Sequence, residues 1–382
     1  MKPTTESRWK RNAVRLLSTI AILGLFLLYS YKPLVSRGGF VHIDTGPTIL
    51  ISEEAASSGR FWLNEPLNAV FPYPLFTRQA STNLTNDPTK IVPVGPLGIH
   101  VIAATRSATN DMVPFLIISA IGVLGAVCLF YLVQNLFGRW ELSLLSTALY
   151  STFPSVAYWN NFLIPNLPAL SLLLASTYFF HRGLLRRDKR YYLASSALLA
   201  AAIWLRYELA IVPIITLPVA LLYFRKQWKD FALIGLIVAA LLSPIAALNT
   251  EIYGDPMKMG YILKPGSTET TAFDLLRVPM HIDLQILATN LSTEVVHRST
   301  LLFVATLPGL AIYIKRYRSK GIHSDTVLLP WTFFSLYILL RIGTASSLGG
   351  YGQTVQISSY SRYFSYLAPL LSILSAVAIF EI

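Results

Sequence analysis

The chain has 382 residues, 54% of them hydrophobic and only 13% charged. Soluble domains carry about a quarter charged residues, so the composition excludes an ordinary water-soluble protein and implies a polytopic membrane protein. The single cysteine, Cys128, excludes an intrachain disulfide, and the 31 basic against 19 acidic residues call for an account of where the excess lies.

In chain order, the basic tail "MKPTTESRWKRNAVR" leads into an apolar run at 14–32. "YSYKPLVS" after it has no small-residue cleavage pattern, so the run is expected to persist as a membrane span. Further spans are expected at 113–133, 141–158, 165–183, 191–205, 207–224, 231–248, 299–316, 326–342 and 362–380. With the N-terminus in the cytoplasm, the tail, the cytoplasmic turns and the final "EI" hold 18 basic and 6 acidic residues, and the outer segments hold 13 of each. The whole positive excess then falls on the cytoplasmic side, and no nucleic-acid partner is needed to explain it. The tight turn "LRYE" at 205–208 is the pivot of this topology, because a single crossing there would invert every later loop. The expected fold class is thus an all-α polytopic plasma-membrane protein of about ten helices, one domain over 1–382. Two large extracytoplasmic loops, 33–112 and 249–298, and short ones at 159–164 and 343–361 share one face and can build one site. No internal repeat or low-complexity tract is present.

The first outer loop opens with "HIDTGPTILISEEAASSGRF". Pro47 suits the first position of a helix and Gly59 its end. The segment between them has an apolar side (Ile49, Leu50, Ile51) and a polar one (Ser52, Glu53, Glu54), as expected of a helix in the membrane interface. Asp44 stands just before it. A helix N-terminus favours the ionised carboxylate, which suits a general base; a helix-capping role is the alternative. Glu53 and Glu54 read as solvated polar-face residues. Sequons at Asn83 and Asn290 fall on the outer side and occur about as often as chance would give.

Several motifs then recur in an ordered series: an Asp after the first span, an interfacial helix ending in Gly, and "PVGPLGIHVIAA" leading to the second span. "YSTFPSVAYWNNFLIPNLPAL", "AAIWLRYELAIVP", "NTEIYGDPMKMGY" and "SRYFSYLAPLL" follow. The series resembles the GT-C class of integral membrane glycosyltransferases, in particular the protein mannosyltransferases and bacterial aminoarabinose transferases. The resemblance implies a GT-C-like bundle whose first extracytoplasmic loop holds interfacial helices. It implies transfer of a sugar from a polyprenyl-phosphate donor to a hydroxyl of a protein, glycan or lipid acceptor, outside the cytoplasm and with inversion, with Asp44 as the base. No nucleotide or organic cofactor is implied, and membrane lipids are the natural partners. It places Asn166, Tyr261 and Tyr363 near substrate, and Lys90 where aminoarabinose-transferase relatives use a lysine near the phosphate. Two departures stand out: Asn166 replaces a frequent Asp, and Thr45 follows Asp44 where many relatives have a second acid.

A leaving phosphate needs cations where its charge develops. Lys90, Arg206, Arg341, Arg362 and the pair His297–Arg298 lie near outer span ends. Arg362 is the stronger candidate because Ser361 and Tyr363 flank it and it opens a span; Arg206 has the alternative of pairing with Glu208 in its tight turn, and Arg298 and Arg341 that of snorkelling to headgroups. For a divalent metal, "HID" with His42 offers at best two ligands of the three or four a site needs, and His100, His281 and His297 add no spacing pattern. Tyr158, Trp159 and Trp331 read as an aromatic belt. Two other functions remain on this reading. A non-catalytic subunit of envelope-glycan assembly fits the missing acids; a secondary transporter is opposed by the absence of repeats and midplane charges.

Overall fold

The computed structural model describes residues 5–36, 45–71, 82–223, 227–263, 284–292, 299–320, 328–343 and 361–381. The first helix, α1 (Thr5–Ser36), is followed by α2 (Thr45–Ser58), β1 (Leu63–Asn64), a 3-10 turn Pro66–Ala69, β2 (Thr82–Leu84), β3 (Lys90–Pro93) and α3 (Gly98–Ala108). Then come α4 (Val113–Phe137), α5 (Trp140–Ser151), α6 (Pro154–Trp159), α7 (Asn166–Arg186), α8 (Lys189–Leu205), α9 (Ile211–Tyr223) and α10 (Trp228–Tyr253). The last part holds α11 (Leu284–Leu291), α12 (Thr300–Lys320), α13 (Leu328–Gly343), α14 (Ser361–Phe364) and α15 (Ala368–Glu381).

Every stretch expected to span is helical over its described residues, but not uniformly. Among the described residues, three helices are long and apolar enough to cross a membrane by length and composition: Val113–Phe137, Trp228–Tyr253 and Arg362–Glu381. Shorter apolar helices lie at Ile20–Val35, Tyr207–Val219 and Thr300–Lys315. The stretch 141–158 is broken into α5 and α6, because Pro154 cannot continue the hydrogen bonding of α5 and opens a new helix instead. Large apolar side chains face outward along α1 and α12 (Leu23, Leu27, Leu301, Leu307), as hydrocarbon surroundings allow. The chain is an integral membrane protein.

The core forms where α4, α7 and α8 pack side by side, with α1, α5 and α10 around them and α12 against α15. Cys128 is buried there, as its apolar setting implies. Outside the bundle, β1, β3 and β2 form a small antiparallel sheet in that order, with Leu63 opposite Ile91 and Asn83 opposite Val92. Asn83, the expected sequon acceptor, is 2% exposed and donates through Nδ2 to the Gly260 carbonyl at 3.0 Å; Asn290 is buried too. The Asn83 amide therefore joins the sheet to the turn at Gly260.

The interfacial helix α2 begins two residues ahead of Pro47 and ends at Gly59, whose φ of 75° is the left-handed conformation a glycine tolerates. Its faces differ from the expected ones. Thr48, Ile51 and Ser52 are buried against α3, whereas Leu50 is exposed. Helical geometry puts Thr48, Ile51 and Ser52 on one stripe, and the Ser52 hydroxyl is satisfied locally by the Thr48 carbonyl at 2.5 Å. Glu53 and Glu54 are paired on the surface rather than merely solvated, with Arg106 and Arg60, each at 2.8 Å.

The sheet and α3 are fastened to the bundle at the end of α8. Gly98 opens α3 directly against Trp204: a Cβ at position 98 would meet the Trp204 carbonyl oxygen at 2.6 Å. The Leu97 N–H points to the Tyr207 hydroxyl at 3.4 Å, and the Tyr253 hydroxyl donates to the Pro93 carbonyl at 2.9 Å. Val92, Leu97, Ile252 and Met259 close a second small core between them.

Candidate active site at one end of the bundle

α8 stops because Arg206 leaves helical geometry for an extended backbone, φ −150° and ψ 105°. A 3-10 turn, Tyr207–Ala210, then carries the chain into α9. The turn leaves Arg206 only 3% exposed. A buried guanidinium must be paired, and Arg206 donates from Nη2 to Glu208 Oε1 at 2.5 Å. The pairing expected from "LRYE" is thus present.

Arg206 is also part of a larger cluster. Its guanidinium lies 4.9 Å from the centre of the Tyr363 ring, and Arg362 lies 5.5 Å from the same ring. Arg362 also stands 5.9 Å from the Trp159 ring. Each such contact is worth about 0.5–2 kcal/mol when shielded from water. Trp159 meets Tyr158 edge-on at 4.9 Å, and Lys32 Nζ sits 4.2 Å from the Tyr158 ring. The end of α1 is held in place by its backbone, since the Lys32 N–H donates to Asn161 Oδ1 at 3.0 Å. Cations and aromatic rings therefore alternate across one end of the bundle: Lys32, Tyr158, Trp159, Arg362, Tyr363, Arg206. Arg341 and Glu208 border the same cluster through Tyr337. Among the described residues this end gathers Arg206, Arg341 and Arg362 against one carboxylate, Glu208. Such an excess attracts an anion, and paired guanidinium forks match the oxygens of a phosphate.

Asn166 opens α7 beside this cluster. Its side chain is fully buried, and neither amide atom finds a hydrogen-bond partner among the described residues. Its carbonyl accepts from the Tyr366 hydroxyl at 3.3 Å, and Tyr366 lies within electrostatic reach of Arg206 and Arg362. An unsatisfied buried amide costs about 1–3 kcal/mol, so the position calls for an explanation beyond packing.

Lys90 behaves differently. It extends from β3 over the Trp62 ring at 4.2 Å and donates to the Glu251 carbonyl at 2.7 Å. Partial burial lowers its pKa below the usual lysine value, opposed by Glu251 and Asp87. Among the described residues none of its contacts joins it to the arginine cluster; it ties the sheet to the end of α10. Tyr261 lies in the 3-10 turn Gly260–Leu263, and its side chain falls outside the described residues. Asp44 also falls outside them, as do His42, His281, His297 and Arg298; the chain resumes at Thr45, which is fully buried. His100 is buried in α3, with Nδ1 3.3 Å from the Pro96 carbonyl, and burial pushes its pKa down to about 4. Among the described residues no three of His, Cys, Asp and Glu converge in a way that would hold a metal ion.

Three aromatic residues expected in a membrane belt sit elsewhere. Trp159 and Trp331 are buried inside the bundle, and Tyr158 carries Lys32. Trp331 Nε1 donates to Thr177 Oγ1 at 3.1 Å, which satisfies its one polar atom where no water reaches. Reading the sequence also missed Lys32; its place just past the first span, facing the aromatic run "YWNNF", was the available signal.

Residues 92–247 match the family model described as dolichyl-phosphate-mannose-protein mannosyltransferase. The segment includes the end of β3, α3, Asn166 and the Arg206 corner. Among solved structures, ArnT from Cupriavidus metallidurans in the apo state superposes with a TM-score of 0.63 at 14% identity, over 98% of this chain and 60% of that one. The chain has the fold of the GT-C membrane glycosyltransferases. ArnT bound to undecaprenyl phosphate gives a TM-score of 0.59 at 15% identity, over 97% of this chain and 61% of that one. The Archaeoglobus fulgidus oligosaccharyltransferase, tethered with an acceptor peptide, gives 0.51 at 13% identity, over 87% and 48%. The chain thus spans about three fifths of the length of ArnT. Among curated proteins none matches it by sequence. The GT-C resemblance read from the ordered motifs is borne out at the level of fold.

Proposed function

We propose that the protein is a glycosyltransferase that takes a sugar from a polyprenyl-phosphate donor and delivers it to an acceptor hydroxyl at the outer face of the membrane. The observation that carries this reading is the pair Arg206 and Arg362, both within about 5.5 Å of the centre of one ring, Tyr363, at a single end of a GT-C fold. A carrier phosphate lodged there has its charge stabilised as the glycosidic bond breaks, which is where preorganised cations accelerate transfer most. Glu208 fixes Arg206 in place. Asn166, whose amide atoms find no partner among the described residues, is suited to a sugar hydroxyl. Tyr363 and Tyr261 complete the substrate-binding set.

Asp44 acts as the general base. It removes the acceptor proton as the oxygen attacks the anomeric carbon, and lipid phosphate leaves from the opposite face, inverting the centre. The positive-inside distribution of Lys and Arg supports a site on the non-cytoplasmic face. The test is transfer of labelled sugar from endogenous polyprenyl-phosphate donors in isolated membranes. Asp44→Asn is expected to lower the rate by about 10²–10⁴-fold, the usual worth of a general base, without lowering the amount of folded protein. Undiminished transfer by this variant would remove the base from the mechanism. Undiminished transfer by Arg206→Gln/Arg362→Gln would remove the phosphate site.

A further inference from the structure

The end of the bundle away from the arginine cluster holds a second set of polar side chains, which the proposed transfer does not use. α4 and α7 run side by side in the same direction. A Cβ added at Gly125 of α4 would meet the Ser171 side chain of α7 at 2.6 Å, and further along both helices the Tyr131 and Tyr178 rings meet at 6.0 Å. One turn beyond this ring pair come Asn135 on α4 and, at the same level, His181 and Arg182 on α7. α7 opens with Asn166 beside the arginine cluster, and His181 lies about four turns, or about 22 Å, further on.

Three buried nitrogens at this level, Asn135 Nδ2, His181 Nε2 and Arg182 Nε, find no partner among the described residues. His181 is only 2% exposed. The Arg182 and Arg186 guanidiniums lie 5.9 and 5.8 Å from the centre of the Tyr191 ring, which stacks on Phe179 at 6.2 Å. Arg186 Nη1 also donates to the Tyr191 hydroxyl at 3.3 Å. Aromatic rings thus hold the two guanidiniums at one corner. Asp188, in the turn between α7 and α8, is taken up as the cap of α8 and accepts from the Arg190 N–H at 2.9 Å. Buried donors beside a guanidinium call for an acceptor that carries negative charge.

The flank of this corner is apolar. Leu124 and Tyr131, two turns apart on one stripe of α4, are exposed and lead up to Asn135, and Leu185 is exposed next to Arg186. A soluble anion would leave that stripe uncovered. We propose that Asn135, His181 and Arg182 hold the phosphate of an anionic phospholipid whose acyl chain lies along Leu124 and Tyr131. Arg182 supplies the charge, and the amide of Asn135 and the imidazole of His181 supply directed donors, His181 when Nε2 carries the proton. The positive-inside distribution gives this end of the bundle to the cytoplasmic leaflet, where basic pockets between helices meet anionic headgroups. The pocket is separate from the carrier-phosphate site, which lies at the other end of α7.

The test uses the purified full chain, stripped of lipid in neutral detergent. The probes are dioleoyl phosphatidylglycerol, dioleoyl phosphatidylcholine and glycerol 3-phosphate, with native mass spectrometry as the readout. The wild type is expected to hold phosphatidylglycerol at least about tenfold more tightly than phosphatidylcholine, as one charge-assisted contact provides, and to bind glycerol 3-phosphate far more weakly than either lipid. Arg182→Gln and Asn135→Leu should each lose most of that preference. Asn135→Leu keeps both volume and net charge, so it reports on the pocket even if Arg182→Gln does not fold. Lys229 is exposed at the same end, where the Tyr192 hydroxyl of α8 donates to Gln227 ahead of α10. Lys229→Gln removes the same charge as Arg182→Gln and should leave the preference within about twofold. A wild type without preference overturns the site, and so does an unchanged preference in Asn135→Leu. Equal losses in Lys229→Gln and Arg182→Gln would reduce the effect to diffuse charge and overturn it too. Glycerol 3-phosphate binding as tightly as phosphatidylglycerol would make the occupant a soluble phosphate and overturn the lipid assignment.

Discussion

Replacing Arg206 by Met separates two roles that one side chain combines. The Arg206 side chain is 4% exposed and that of Glu208 22% exposed, with 2.5 Å between Nη2 and Oε1. Breaking a buried pair by removing one partner costs about 3–5 kcal/mol, chiefly because the other charge is left behind. Glu208 retains some access to water, so the expected loss lies near the lower end, about 3 kcal/mol, with about 1 kcal/mol more from the lost contact with Tyr363. The double variant Arg206→Met/Glu208→Leu removes the stranded carboxylate and should be more stable than Arg206→Met alone. Graded SDS titration in mixed micelles, read as a double-mutant cycle, measures both quantities. Donor-phosphate binding should be lost in both variants, because the cation is gone from both. If the double variant is no more stable than Arg206→Met, the pair is not what stabilises the corner. If either variant keeps wild-type phosphate binding, Arg206 does not hold the anion.

Other expectations concern neighbouring elements. Asn166→Leu should raise stability by about 1–3 kcal/mol, because it keeps the volume and removes an amide with no hydrogen-bond partner among the described residues; sugar transfer should fall, and unimpaired transfer would remove Asn166 from the site. Gly98→Ala should destabilise by about 1–3 kcal/mol through the clash with the Trp204 carbonyl, seen as a lowered melting temperature. His100, held down to about 4 by burial, binds its proton more readily when unfolded, so its contribution to stability is present above about pH 6.5 and lost as the pH falls towards 4. His100→Phe should flatten the stability profile over that window, and an unchanged acid slope would show that other groups set it. Lys90→Ala should loosen the sheet from α10 by about 1 kcal/mol, as expected for one cation–π contact and one hydrogen bond; hydrogen exchange at β3 would report it.

The parts of this fold that were legible in the sequence are those governed by local chemistry. Apolar runs gave the helical stretches, Gly59 marked the end of α2, and Arg206 with Glu208 two residues on gave the pairing at the corner; the break that Pro154 imposes on the stretch expected at 141–158 was passed over. What was not legible depended on distant segments meeting. Arg362 comes together with Arg206 only because Tyr363, more than 150 residues beyond Arg206, is carried against the corner by α14. The partners that Lys90 finds, Trp62 and Glu251, come from two other segments, so its tie from β3 to the end of α10 could not be read locally. Trp159 and Trp331 looked like belt residues because position near a span end does not reveal which way a ring points. The α2 stripe was misassigned for a related reason: apolar residues at consecutive positions cannot share a helical face, and the buried stripe included Thr48 and Ser52.

The central claim is that two arginines from distant segments of the chain jointly hold a carrier phosphate. Binding of undecaprenyl phosphate to the full chain in nanodiscs, compared between the wild type and Arg362→Gln, tests it most directly, because Arg362 can be neutralised without stranding Glu208. Loss of one charge-assisted fork should weaken binding by about tenfold or more, with Arg362→Lys falling between the two. Equal affinity in all three proteins would contradict the account.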